Sequence, residues 1–243
     1  MPATAKRMGT GLSLIYLPAT GFCAQGASPL ESGPTDWLAW HFTDIGNIVS
    51  IAETGTLVSH SASVAHIDVA DAEIKRDRLS RVIDLPPPYP SSAVGDHVPF
   101  YFTPRSPMLF RVKCERGQDS LVFFGVRVGD IAGDGYTWCA ANGNARSQFT
   151  EFSNELASMD EFIDMDALNT KYWNSDEDPD LRRRRQSELL VRDQVALPAV
   201  SYVVCKTDQQ LSVARAILAP YAPAAQFLVL SSNYFWRFRV LCG

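Results

Sequence analysis

Apolar residues in this chain come in short runs separated by turn-forming clusters, and the runs switch between strand-like and helix-like spacing. Residues 37–42 (WLAWHF) are almost continuously apolar, which at that length and aromatic content predicts a buried strand. Asp44 follows as a helix N-cap, and Ile45, Ile48, Val49 and Ala52 recur at helical spacing up to Gly55, predicting a short helix. A second predicted helix, 67–82, carries Ile67, Ala70 and Ile74 on one face and basic residues on the other; the prolines of 86–90 end it in a stiff extended connection. Strands are predicted at 98–102, 119–128, 136–140, 188–191, 200–204, 226–230 and 235–241, with a helix at 208–219. In the first of these strands Pro99 predicts a first residue or a sheet edge, and alternation sets Tyr101 opposite Phe100 and Phe102. Residues 142–144 read as a turn and 149–173 as helix and loop, running into the acidic stretch 176–180. Strands and helices mix without a βαβ rhythm, so the predicted class is α+β. Residues 1–34 read as an irregular lead-in rich in Gly, Pro, Ser and Ala, and 35–243 as one domain.

The 243 residues suffice for a sizeable core, and 46% hydrophobic against 20% charged residues is globular rather than disordered composition. A net charge of −5 does not advertise nucleic-acid binding, but phosphates are neutralised by local clusters, and two exist. One comprises Lys75, Arg76, Arg78 and Arg81, the other is the run Arg182 to Arg185. Five scattered cysteines without CxxC spacing read as reduced thiols, and four histidines without HExxH complete the expectation of no metal site. Lys6 and Arg7 precede an apolar stretch, 12–17, in the outline of a signal peptide, but Pro18 and Gly21 interrupt it, so a cytoplasmic location is expected. No stretch approaches the ~20 apolar residues of a membrane span. Neither GxGxxG nor GxxxxGK[ST] occurs, which leaves Rossmann and P-loop nucleotide binding unsupported.

Four segments carry candidate chemistry. His41 at a strand end, with Phe42, Thr43 and Asn47 close behind it, can hydrogen-bond a ligand ribose or carboxamide, although a core histidine reads the same way. Tyr101 in the strand 98–102 offers a ring for stacking on a planar ligand. Asn144 sits in a turn that by itself says only loop. Glu188 opens an apolar strand after Gln186 and four arginines; nearby positive charge favours the ionised form, which suits the sugar cation of glycosidic cleavage. A surface glutamate paired with arginine is the plainer alternative.

Taken in this order, the segments resemble the DarT family of NAD-dependent DNA ADP-ribosyltransferase toxins. The pieces are His41 to Thr43 with Asn47 and Gly55; residues 74–81 (IKRDRLSR); 98–109 (VPFYFTPRSPML); 143–145 (GNA); and 183–191 (RRRQSELLV). Coverage runs from about Trp37 to about Cys205, and the proline-arginine and RRQSE pieces are the specific ones. The resemblance implies an ADP-ribosyltransferase-type split β core with flanking helices, holding NAD in a cleft. It implies that His41, Phe42, Thr43, Asn47 and Tyr101 bind NAD, and that residues 63–81 fold over it. Glu188 would hold the ribose 2′-hydroxyl and stabilise the oxocarbenium ion as nicotinamide leaves. An arginine of the 76–81 group would assist: Arg78 is the choice, and Arg76 or Arg81 fits with a shift of two or three residues. The loop 143–188 would present the base, with Asn144, Arg183, Arg184 and Arg185 contacting single-stranded DNA. Thymine is the first acceptor implied and guanine the second, ahead of RNA or protein, and a macrodomain antitoxin is the expected partner. The contrasting reading is a nucleic-acid-binding protein without activity.

Overall fold

The computed structural model describes residues 33–62, 67, 72–170 and 172–229; residues 1–32 of the lead-in and the predicted strand 235–241 lie outside them. The chain opens with β1 (Leu38–Asp44), α1 (Ile48–Thr54), β2 (Thr56–Val58), α2 (Ala72–Ser80), β3 (Val82–Ile83) and β4 (Ser92–Ala93). It continues through β5 (His97–Tyr101), α3 (Pro107–Arg116), β6 (Leu121–Arg127), α4 (Val128–Gly133), β7 (Trp138–Ala141) and β8 (Phe152–Ser153). Three short helices, α5 (Met159–Phe162), α6 (Met165–Asn169) and α7 (Leu181–Arg184), lead to β9 (Glu188–Arg192) and β10 (Gln194–Ala196). The last described elements are β11 (Tyr202–Cys205), α8 (Asp208–Leu218) and β12 (Gln226–Val229).

Eight strands form one sheet in the order β12-β11-β6-β1-β5-β9-β7-β8. Pairing is antiparallel except for β11 with β12, which run parallel because α8 carries the chain back between them. The sheet is nearly cut in two at its centre. β1 pairs with β6 over seven residues but with β5 at a single register position, Trp40 opposite Tyr101. Pro99 explains how β5 tolerates this position. Its carbonyl faces β1, so the N–H that proline lacks is missing on the open side of the cut and not in the β5/β9 ladder. The expectation that Pro99 marks a first residue or an edge is corrected accordingly: it is interior to β5, at the sheet's internal seam.

Alternation sorts the side chains onto two faces. Ala39, Val98, Phe100, Phe124, Val126, Ala140, Leu189 and Val191 join one large core under α1, α4, α5, α6 and α8. The opposite face carries two smaller clusters, one on each side of the seam. Leu38, Trp40, Phe42 and Phe123 pack with Leu109 and Val112 of α3; Cys139, Ala141 and Leu190 pack with Ile83, Tyr89 and Val94. Tyr101 and Glu188 belong to this second face and fall between the two clusters.

Local signals place most elements. Asp44 accepts from the Gly46 N–H at 2.8 Å and starts the turn into α1, which Gly55 ends at φ +69°, a conformation that favours glycine. Thr207 and Gln210 form a capping box at the start of α8. α3 departs from the sequence reading, in which 98–109 runs from strand into turn; Ser106 caps it and Pro107 occupies its first turn. Cys139 and Cys205 are free and buried, but Cys114 is disulfide-bonded, which corrects the expectation of five reduced thiols; linear spacing does not reveal a pairing made by the fold.

Two features generate tests. Gly125 lies in β6 under the Trp40 indole, and a Cβ there would stand 2.6 Å from the ring. Gly125→Ala should lower stability by roughly 1–3 kcal/mol, the usual cost of overpacking a full core, read from denaturant midpoints. His97 is buried: its Nδ1 donates to the Ala93 carbonyl at 2.9 Å and its Nε2 accepts from the Tyr89 hydroxyl at 2.8 Å. Burial, with Arg78 and Arg192 adding to it against the opposing Ala93 bond and Asp96, pushes its pKa down to about 4. Between about pH 6.5 and 4 the unfolded chain therefore binds a proton that the folded chain does not. Stability is full above that window and falls as pH drops through it, by up to roughly 3 kcal/mol. Unfolding at about pH 7 and about pH 4.5 should show that loss in the parent and a smaller one in His97→Gln.

Candidate active site

Glu188 is the first residue of β9, opposite Tyr101 on one side and Ala141 on the other. Alternation turns its side chain away from the core that Leu189 enters and into the gap between the two minor clusters. There it is 1% exposed. A carboxylate so placed needs partners for both oxygens, and it has them. Oε1 accepts from the Ala145 backbone N–H at 3.1 Å, and Oε2 accepts from Arg78 Nη1 at 2.9 Å.

Each member of this group sets the charge of the next. Burial is the largest single influence and works against the Arg78 charge, but Glu188 and Tyr101 together more than offset it and the guanidinium pKa rises. Burial also raises the Tyr101 pKa, and the negative Glu188 raises it further, so the phenol stays neutral. Phe42 stacks on the Tyr101 ring at 6.0 Å and 21°, which joins the two halves of the sheet across the seam. Arg78 Nη2 is buried with no hydrogen-bond partner, a donor standing open beside Glu188.

Of the three candidate arginines, the structure puts Arg78 on Glu188. Arg76 is exposed, and Arg81 reaches the loop 142–150 instead. Arg81 Nη2 donates to the Thr150 carbonyl at 3.0 Å and its guanidinium lies 5.6 Å over the Phe152 ring. Asp77 adds an ion pair with Arg146 at 3.0 Å. Thus α2 is tied to the Glu188 loop by charged groups at 77, 78 and 81.

The β1 residues take up different positions. His41 Nδ1 donates to the Pro99 carbonyl at 3.0 Å, so it spans the seam beside the Phe100 ring. Thr43 and Asn47 bond to each other, and both ends of the Asn47 amide engage the Ile67 backbone, at 2.9 and 2.7 Å. Asn47 therefore pins the segment leading into α2.

The arginine run is occupied differently from the expectation that Arg183, Arg184 and Arg185 grip DNA. Arg183 is bonded through both Nε and Nη2 to Asp180, and through Nη1 to Asn142 and Thr150. A Cβ at 143 would stand 2.3 Å from Arg183 Nη1 and 3.0 Å from the Arg183 carbonyl, so a larger residue there would displace the Arg183 head from its bonds. Arg184 meets Asp164, Asp178 and Asp180. Arg185 is 5% exposed, and burial followed by the neighbouring Arg105 charge lowers its pKa to about 10. Asn144 bonds to Gln186 and to the Arg146 N–H, which shapes the turn that delivers Ala145 to Glu188. These side chains build the loop. Arg182 is exposed and makes no ion pair among the described residues. Sequence reading missed the Ala145 N–H, because a backbone donor leaves no mark in residue identity, and missed Asp77–Arg146, whose partners lie 69 positions apart.

A family model described as "ssDNA thymidine ADP-ribosyltransferase, DarT" matches residues 40–235. The chain belongs to the DarT family. It is similar to the DNA ADP-ribosyl transferase of Mycobacterium tuberculosis H37Rv, at 36% identity over 227 residues that cover 90% of this chain and 98% of that one. A protein of the same name from Escherichia coli O127:H6 is 24% identical over 185 residues, covering 72% and 83%. Among solved structures, Thermus sp. 2.9 DarT in complex with ADP-ribosylated ssDNA superposes with a TM-score of 0.74 at 23% identity, covering 83% of this chain and 97% of that one. Thermosipho africanus DarTG in complex with ADP-ribose gives 0.67 at 21%, covering 82% and 51%. The eight-stranded sheet and its flanking helices are thus the DarT ADP-ribosyltransferase fold.

The buried pair makes a sharp prediction. Arg78→Ala leaves the Glu188 charge with one N–H donor and should cost about 3–5 kcal/mol. Adding Glu188→Gln to that variant removes the charge, keeps an acceptor for Ala145, and should restore most of the loss in denaturant unfolding. A double variant no more stable than Arg78→Ala would mean that the pair is not the source of the penalty.

Proposed function

We propose that this chain transfers ADP-ribose from NAD to a base of single-stranded DNA, thymine in first place, and releases nicotinamide. The observation that carries this reading is the buried Glu188 carboxylate paired with Arg78, whose Nη2 has no partner. The family description and the NAD and ADP-ribosylated ssDNA complexes of Thermus sp. 2.9 DarT support it.

NAD supplies the ADP-ribosyl group and, in nicotinamide, its leaving group. The Glu188 carboxylate, ion-paired with Arg78, accepts a hydrogen bond from a ribose hydroxyl. Its negative charge stabilises the positive charge that develops on the ribose as the C–N bond to nicotinamide breaks. The free donor of Arg78 takes an oxygen of the same ligand, so that Arg78 both fixes the Glu188 carboxylate and orients the sugar. Tyr101, neutral and stacked with Phe42, offers a flat surface for the nicotinamide ring, and His41 at the seam positions β1 against β5. A base nitrogen then forms the new bond to the ribose carbon, and its proton passes to the Glu188 carboxylate. Those nitrogens are hidden in a duplex, which makes a single strand the substrate. The same reading makes the protein a toxin, restrained by a macrodomain that removes the modification.

Oligonucleotides that differ in base composition, incubated with protein and NAD and weighed by mass spectrometry, test this directly. The expected result is a gain of one ADP-ribose on thymine-containing single strands with the parent and none with Glu188→Ala. A gain on guanine-only strands would move the acceptor to guanine. No gain on any strand, with NAD binding intact, would overturn the nucleic-acid reading in favour of a protein acceptor.

A further inference from the structure

Phe149 is 83% exposed, more than any other large apolar side chain among the described residues. A lone exposed apolar residue is ordinary on a protein surface. This one sits on a loop fixed from several sides. Its neighbour Thr150 is buried, donates through Oγ1 to the Asn144 carbonyl at 2.7 Å and accepts from Arg183 Nη1 at 3.2 Å. The Thr150 carbonyl takes Arg81 Nη2 at 3.0 Å, and the Phe149 N–H donates to Ser147 Oγ at 3.3 Å. The next residue after Asn144 is Ala145, the backbone donor to Glu188. The backbone that carries this bare aromatic ring is therefore fixed one short loop away from the proposed reacting carboxylate, with the exposed Gln148 beside it.

We propose that Phe149 is a stacking platform for a nucleobase flanking the modified one, an inference that rests on single-stranded DNA being the substrate. A phenylalanine ring on a fixed backbone has only two side-chain torsions to lose when a base settles on it, and every base has a face to offer. The chemistry of the position fits a base rather than a phosphate: the ring is apolar, and the arginines that fix its loop are already spent on Asp180, Asn142 and Thr150. Phe149 would thus add affinity that does not depend on salt, next to whatever phosphate contacts the exposed Arg182 makes.

The test compares parent, Phe149→Ala and Phe149→Trp for binding to a fluorescent thymine-containing single strand and to NAD. Phe149→Ala should weaken DNA binding at least about fivefold, the lower end for losing one base–aromatic stack. Phe149→Trp should stay near the parent, and NAD affinity should be the same in all three. The ratio of parent to Phe149→Ala should hold between about 50 and 200 mM salt, whereas loss of a phosphate contact changes the salt slope. Equal DNA affinity of parent and Phe149→Ala would overturn the stacking role alone. A parent that neither binds nor modifies the strand would overturn the substrate reading and this inference with it.

Discussion

A carboxylate that is 1% exposed cannot stay charged without help, and the help it receives organises the centre of this molecule. Glu188 has two oxygens and two donors, each delivered by an element that has few other reasons to be where it is. Ala145 arrives on a turn that Arg183 holds through Asn142 and Thr150, on a backbone whose Gly143 leaves room for the Arg183 head. Arg78 arrives on α2. The acidic stretch before β9 serves the same end at one remove, since Asp178 and Asp180 neutralise Arg184 and Arg183 and leave them to brace the loop. The charges clustered in the sequence here are largely consumed in building the pocket around one anion.

The sheet provides the other constraint. A continuous eight-stranded ladder would engage the backbone at its centre. The single register pair between β1 and β5 interrupts it, and side chains at that seam take over the contacts that a ladder would otherwise make. Pro99 has no N–H to give across the seam, and His41 meets its carbonyl with an imidazole in place of a backbone donor. Phe42 and Tyr101, from opposite sides, close the floor by stacking. Position in the fold therefore explains why a histidine and a proline occupy strand interiors, and a tyrosine a strand end, where aliphatic residues are the rule.

Much of this was legible in the sequence, and the reasons separate cleanly. Strand alternation alone put Tyr101 opposite Phe100 and Phe102, and the structure has the latter two in the main core and Tyr101 at the seam. Periodicity and capping placed α8 to within a residue of its bounds and the end of α1 at Gly55, but Asp44 caps a 3-10 turn over Ile45–Asn47 and α1 itself begins at Ile48. The choice among Arg76, Arg78 and Arg81 was not legible, because it turns on which side of a helix faces a residue 110 positions away. The contacts of the arginine run were not legible for a related reason. A cluster of like charges reads as a surface for anions unless the folded neighbours are known, and here the aspartates that absorb Arg183 and Arg184 come from 164, 178 and 180. Pro99 misled because the rule that sends proline to sheet edges assumes that a sheet has only outer edges.

The attachment of α2 follows from these facts and differs in kind from that of every strand around it. Its two large apolar side chains are Ile74, half-buried, and Leu79, which lies over Gly95 but stays substantially exposed. What fixes it is charge: Asp77 to Arg146, Arg78 to Glu188, and Arg81 to the Thr150 carbonyl. Exposed pairs such as the first contribute little, while the buried one contributes through the penalty of breaking it. The helix is thus held chiefly by the group it serves. Glu188 favours the Arg78 charge and holds it in place, and Arg78 supplies one of the two donors that the buried carboxylate requires.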